Sequence, residues 1–109
     1  MHITKTEQGK WVVLTLVGKL DNSGAEQLEG VLAPLLVGGH LVLDFKEVEY
    51  VTSSGFRTLM VALKQQSAKQ GQFVLAQMSD PVHRFFEIAG LGRVFKFADN
   101  LETLVKADS

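Results

Sequence analysis

The stretch Leu41-Val42-Leu43-Asp44-Phe45-Lys46-Glu47-Val48-Glu49-Tyr50-Val51-Thr52-Ser53-Ser54-Gly55-Phe56 decides the fold. Its first five residues form a short apolar run between turn signals, the mark of a central strand. Lys46 to Tyr50 reads as a connecting loop. Phe56, Leu59, Met60 and Leu63 then recur at i, i+3, i+4 and i+7, which defines the buried stripe of a helix. Arg57, Lys64, Gln65 and Lys69 occupy its other face, and Gly71 ends it. A buried strand that feeds an amphipathic helix is half of a βαβ unit.

The same alternation continues on both sides. Downstream, Phe73 to Ala76 reads as another buried strand. Asp80 as N-cap and Pro81 at the first helical position open a helix whose stripe is Val82, Phe85, Phe86 and Ala89. Gly90 stands at its C-terminal cap. Val94 to Phe97 forms a last strand, and Asp99 with Glu102 makes a capping box for a final helix with Leu101, Leu104 and Val105 inside. Upstream, His2 to Thr6 and Trp11 to Val17 make a hairpin around Glu7-Gln8-Gly9-Lys10, with Gly9 supplying positive φ. Asp21, Asn22 and Ser23 offer N-cap oxygens to a helix carrying Ala25, Leu28, Val31, Leu32, Leu35 and Leu36 inward. Pro34 predicts an end or kink near Ala33. The order β-β-α-β-α-β-α-β-α implies an α/β fold with a mostly parallel sheet and an N-terminal antiparallel hairpin. In such sheets function gathers where strand ends meet helix starts.

Composition narrows the possibilities. The chain of 109 residues is enough for one domain over 1–109. Hydrophobic residues make up 46%, so the core needs no staple, and no cysteine is present to make one. The absence of cysteine excludes disulfides, thiolate zinc sites and cysteine nucleophiles, and it fits a cytoplasmic protein. A net charge of −1 with no basic stripe argues against nucleic-acid binding. No apolar run approaches the ~20 residues of a membrane span, and Met1 to Lys5 does not open a signal peptide.

Thr52-Ser53-Ser54-Gly55 is the unusual spot. One reading is capping, with Thr52 or Ser53 accepting from a free helix amide. One cap needs one hydroxyl, however, and the spare hydroxyls sit where open amides and the helix dipole favour a phosphate. Other chemistry finds less support. His2, His40 and His83 show no metal-ligand spacing and read as surface or loop residues. A serine hydrolase needs a histidine beside Ser54, and the G-x-S-x-G elbow lacks its first glycine. Asp44 as a phosphoryl acceptor needs further acids at the first strand's end, where His2 to Thr6 has none. No P-loop or dinucleotide fingerprint occurs.

The run Leu41 to Phe45, its spacer, and Val51-Thr52-Ser53-Ser54-Gly55-Phe56 resemble the signature of the STAS domain family, which includes the bacterial anti-sigma factor antagonists. Gly18-Lys19-Leu20-Asp21 is similar to that family's element before the first helix, and Gly90-Leu91 with Phe95 to a weaker one after the third. The resemblance implies a phosphorylation-switched binding module rather than an enzyme, with Ser54 phosphorylated and Ser53 as the secondary candidate. It implies an anti-sigma factor acting as serine kinase, which binds the unphosphorylated form, and a serine phosphatase that restores it. The ATP belongs to the partner and this chain carries no cofactor; such antagonists are expected to act as monomers. Asp21, Asn22, Thr52, Ser53, Ser54, Gly55, Phe56 and Arg57 are the expected contact residues, with Gly55 admitting the partner's backbone. Thr52 stands where the family often has aspartate, and Phe56-Arg57 where it often has leucine-glycine. Other readings stay open: a STAS scaffold subunit of a signalling or lipid-transport assembly without a switch, a different kinase using the same switch, and an ester hydrolase.

Overall fold

The computed structural model describes residues 1–107. Strand β1 (His2–Gln8) turns at Gly9-Lys10 and pairs antiparallel with β2 (Trp11–Leu20), Gln8 opposite Trp11 and His2 opposite Val17. Gly9 has φ 61°, the left-handed region such a tight turn needs. Strands β3 (His40–Val51), β4 (Gln72–Ala76) and β5 (Lys96–Ala98) add in parallel, giving the spatial order β1-β2-β3-β4-β5. The fold class read from the sequence therefore holds.

Sequential order has a consequence for layering. Every parallel crossover steps the same way across the sheet, and right-handed connections then put all crossover helices on one face. That face is packed by α1 (Asn22–Leu32), α2 (Ser53–Ala68) and α3 (Asp80–Ile88). Leu14, Leu16 and Leu20 of β2, Leu41, Leu43 and Phe45 of β3, and Leu75 of β4 meet Leu28, Leu59, Val82 and Phe86 in its core. Helix α4 (Leu101–Ala107) follows the last strand and covers the opposite face, where Trp11, Val13, Val42, Val74 and Ala76 pack with Val105. Pro34 acts as expected: α1 stops at Leu32 and one 3₁₀ turn, Ala33–Leu35, follows.

Several boundaries differ from the sequence reading. Lys46 to Tyr50 is not a loop but the second half of β3. Two bulges against β2, between Thr15 and Val17 and between Gly18 and Lys19, break the period of two. The buried residues fall at Phe45, Val48 and Val51, three apart, which hides the strand. β2 likewise runs past Val17 to Leu20. The cap of α3 is Ser79, whose Oγ accepts from the Val82 amide at 3.4 Å, so Asp80 and Pro81 lie inside the helix. The last helix is capped by Asn100, accepting from Thr103 at 2.8 Å, in place of an Asp99 capping box. β5 begins at Lys96, not Val94. Phe85 is 37% exposed and Ala89 lies beyond α3 on the surface, so the buried stripe of that helix is Val82 and Phe86. His2 is an exposed residue of β1, as expected, whereas His40 in β3 is half-buried and half-buried His83 meets Phe97 edge to face.

Candidate functional site

The site forms where β2 and β3 end together and α1 and α2 begin. Leu20, the last residue of β2, is fully buried, and its carbonyl points at the β3–α2 junction. The Thr52 amide donates to it at 3.0 Å and the Thr52 hydroxyl donates to it at 3.3 Å. This double hold fixes the start of α2 against the end of β2. It also corrects the capping expectation. Thr52 occupies the N-cap position with extended backbone, but no side chain caps α2, because the Thr52 hydroxyl is spent on Leu20.

Gly55 sits three residues on and is buried. A β-carbon there would stand 2.7 Å from the Leu20 carbonyl oxygen, 2.8 Å from Leu20 Cγ and 2.8 Å from Val51 Cγ1. Packing inside the chain alone is enough to require glycine here. Gly24 of α1 obeys the same rule, since a β-carbon would lie 2.3 Å from the Lys19 carbonyl oxygen. Bare helix starts thus let α1 and α2 seat closely on the strand end.

The hydroxyls between Thr52 and Gly55 serve the fold less. Ser53 is exposed and Ser54 is half-buried. The Ser54 hydroxyl donates to the Asn22 side-chain oxygen across 32 positions of sequence, a short hydrogen bond that joins the two helix starts. Asp21 behaves as a cap, its carboxylate accepting from the Gly24 amide at 2.9 Å. The first closed turn of α2 is the Phe56 amide to the Thr52 carbonyl at 3.0 Å. The amides of Ser53, Ser54 and Gly55 precede it and have no intrahelical acceptor. With no acidic residue in the first turn and no side-chain cap, the positive end of the α2 dipole lies open beside Ser54.

Phe56 packs inward, its ring 4.9 Å from that of Phe86 and nearly perpendicular to it. Arg57 is exposed and borders two grooves. One lies against α1 with Glu29, Leu32 and Ala33; the other lies against the end of α3 with Ser53, Met60 and Lys64. The structure therefore gathers Asp21, Asn22, Thr52, Ser53, Ser54 and Gly55 at one junction and sends Phe56 to the core. Ser54 is bonded to Asn22 and to no histidine, the arrangement of a serine without a general base. Asp44 accepts from the Lys46 amide at 3.0 Å and from the Gln77 side chain at 3.1 Å, at work in the sheet. Among the described residues no group of three or more His, Asp or Glu is placed to hold a metal ion, and no helix is long and apolar enough to cross a membrane.

One residue of structural weight escaped the sequence reading. Gln66 is wholly buried; its amide nitrogen donates to the carbonyls of Gly38, Gly39 and Gln72, and its oxygen accepts from the Gly38 amide at 3.0 Å. It locks the α1–β3 connection onto α2, and its only local signal is an amide among other polar residues.

Fold and site together define a class: an α/β domain built on one mostly parallel sheet, with a pair of serines at the uncapped start of the second helix. The chain belongs to the STAS domain family, whose model, described as "Mlab, STAS domain", matches residues 3–105. It is 31% identical over 109 residues to BtrV of Bordetella bronchiseptica, named as an anti-sigma factor antagonist, covering 98% of this chain and 94% of that one. It is 29% identical over 93 residues to the anti-sigma-B factor antagonist of Staphylococcus aureus, covering 84% and 86%. Among solved structures it superposes on the anti-sigma factor antagonist SpoIIAA in its unphosphorylated form at TM-score 0.77, with 22% identity and 98% and 96% of the two chains covered. The phosphorylated form of Bacillus SpoIIAA superposes at TM-score 0.75, with 18% identity and 99% and 100% covered.

Proposed function

We propose that this chain is an anti-sigma factor antagonist, one non-catalytic, cytoplasmic binding domain switched by phosphorylation at Ser54. Unphosphorylated, it binds an anti-sigma factor that is also a serine kinase, and the bound ATP is the partner's. Phosphorylation releases it, and a serine phosphatase restores binding. Ser53 is the secondary modification candidate, and Asp21, Asn22, Thr52, Ser53, Ser54 and Arg57 form the contact surface. Gly55 and Phe56 contribute from within, by seating α2.

The observation that carries this reading is the position of the Ser54 hydroxyl. It lies at an open helix start and, among the described residues, is bonded to Asn22 alone, with no backbone group held by it. A phosphate there adds about −1.5 to −2 charge at pH 7. The α2 dipole and open amides tolerate that charge, so the fold survives. A partner pressed against the same spot meets an unpaired, desolvated charge, which is costly. The test is to immobilise wild type and Ser54→Asp and compare what each captures from lysate of the source organism. An ATP-binding kinase retained by wild type and lost by Ser54→Asp supports the switch. Equal capture by both refutes it.

The matched family model describes a STAS domain and not an antagonist as such, and a second reading is a scaffold subunit of a larger signalling or lipid-transport assembly without a switch. In that case Ser54→Ala and Ser54→Asp both leave the assembly intact.

A further inference from the structure

We infer that the groove between α2 and the end of α3 receives an acidic amphipathic helix of the partner, with Arg57 and Lys64 selecting its carboxylates. This inference rests on the Ser54 reading above, because the groove begins at Ser53.

The groove holds about 430 Å³. Phe56, Met60 and Val61 from α2 and Ala89 and Leu91 beyond α3 form its floor. That floor reaches solvent: Val61 is 47% exposed, Ala89 is exposed, and Phe56, Met60 and Leu91 are half-buried.

Its edge is cationic. Arg57 and Lys64 line the groove, and neither is held in an ion pair; among the described residues those pairs are His83–Glu87 and Lys106–Glu102. From Val51 to Ser79 the sequence has three cations, Arg57, Lys64 and Lys69, and no carboxylate. The chain as a whole carries −1, so the positive groove is a local arrangement and not a bulk property. Arg57 and Lys64 lie two helical turns apart, about 10 Å along the axis.

An apolar floor between two cations at that spacing is complementary to one ligand chemistry. A helix with apolar residues at i, i+3 or i+4, and i+7 fills the floor, and Asp or Glu on its flanks reaches Arg57 and Lys64. Bare phosphate or nucleic acid would leave the apolar floor unused. The parallel groove between α1 and α2 carries Glu29 on its wall and opposes an acidic ligand.

Position links the groove to the switch. Ser53 lines its mouth, and Ser54 precedes Arg57 by three residues, on the same side of the helix. A phosphate on Ser54 neutralises Arg57 and repels the acidic helix, so release follows from charge as well as bulk.

The test uses photo-crosslinking with the full chain in lysate of the source organism. p-Benzoylphenylalanine replaces Val61 in one variant and Ser23, beside Asn22, in another, and crosslinked peptides are sequenced by mass spectrometry. Circular dichroism first confirms that each variant melts like wild type. The expected result is a Val61 crosslink to a segment with apolar residues at helical spacing and at least two flanking Asp or Glu. Arg57→Glu with Lys64→Glu should cut its yield more than 10-fold, and Arg57→Lys with Lys64→Arg should retain it. A Ser23 crosslink without a Val61 crosslink, or a Val61 crosslink to a segment lacking carboxylates, overturns the groove inference and leaves the Ser54 reading standing. No crosslink at either position overturns both. A Val61 crosslink to an acidic segment that survives Ser54→Asp undiminished upholds docking and overturns the switch.

Discussion

Replacing Gly55 with alanine should destabilise this domain, and replacing Gly30 with alanine should stabilise it. The two glycines lie in helices, and alanine is favoured over glycine in a helix interior by up to about 1 kcal/mol. Their surroundings differ. At Gly30, in the exposed part of α1, a new β-carbon meets nothing within 4 Å. The full propensity gain applies, and the melting temperature should rise by about 4 °C. At Gly55 the β-carbon falls 2.7 Å from the Leu20 carbonyl oxygen and 2.8 Å from both Leu20 Cγ and Val51 Cγ1. The Leu20 carbonyl cannot retreat cheaply, because it accepts from the Thr52 amide and hydroxyl. Overpacking of this kind costs about 3 kcal/mol where the neighbour is rigid. Setting the helix gain against it leaves a loss of about 2 kcal/mol, or a fall of about 10 °C in melting temperature. Thermal melts of the two variants and wild type, followed by circular dichroism in one buffer, decide the matter. A Gly55→Ala protein that melts at or above wild type refutes the claim that α2 is seated on Leu20 by contact.

Four further outcomes follow from the same geometry. Gln66→Leu removes the acceptor of the Gly38 amide and a side-chain donor to three carbonyls, of which that of Gly39 keeps the Gln72 amide, and should cost about 2 to 3 kcal/mol, seen as a melting point more than 8 °C below wild type. Asp21→Ala removes the α1 cap and should cost about 1 kcal/mol in a urea titration, with the slope unchanged. Thr52→Asp supplies a cap and an acidic residue to a helix that has neither, so its unfolding midpoint should stay within about 1 kcal/mol of wild type in spite of the lost hydroxyl contact to Leu20. Ser54→Asp should melt within about 2 °C of wild type, since no fold contact but that to Asn22 is lost; a larger fall would show that Ser54 supports the fold and cannot be a separable switch.

Much of this was legible in the sequence wherever one physical rule acted alone. Helical spacing placed α2, but of the stripe Phe56, Leu59, Met60 and Leu63 only Leu59 is buried; the face turned to the sheet is Gly55, Leu59, Ala62 and Gln66, and the other three are half-buried at its edge. Pro34 ended α1 where its missing amide requires. The strand Leu41–Phe45 was plain, but its continuation to Val51 was not, because two bulges moved the buried positions from every second to every third residue. Thr52 was the right residue type for a cap, and no local rule could tell that the Leu20 carbonyl, 32 positions away, would claim its hydroxyl. The Ser54–Asn22 bond spans the same separation. Helical phase puts Gln65 on the outer face and Gln66 in line with Leu59 and Ala62, but only the distant Gly38-Gly39 turn supplies the partners that let an amide be buried there. The groove cations could have been noticed from the acid-free run Val51 to Ser79, whereas the apolar floor needs Ala89 and Leu91 brought in from beyond α3.

The four residues at the start of α2 divide their work by angle. Successive helical residues stand about 100° apart, so a short run at a helix start must alternate between facing the sheet and facing solvent. Thr52 and Gly55 fall on the sheet side: one is tied to Leu20, the other is packed against it. Ser53 and Ser54 fall away from it. A domain of this size has roughly 5 to 15 kcal/mol of net stability. A phosphate on the sheet side would bury an unpaired charge, at a cost able to consume that margin. On the solvent side the same phosphate meets amides that have no other acceptor. A phosphorylation switch that spares its own fold therefore has two available positions in this motif, and Ser54 is the one whose hydroxyl already bridges both helix starts. Moving the acceptor serine to position 52 should abolish the separation between release and unfolding. Thr52→Ser, phosphorylated there by chemical or genetic means, should lower the melting temperature by more than 10 °C, whereas phosphorylated Ser54 should leave it near wild type.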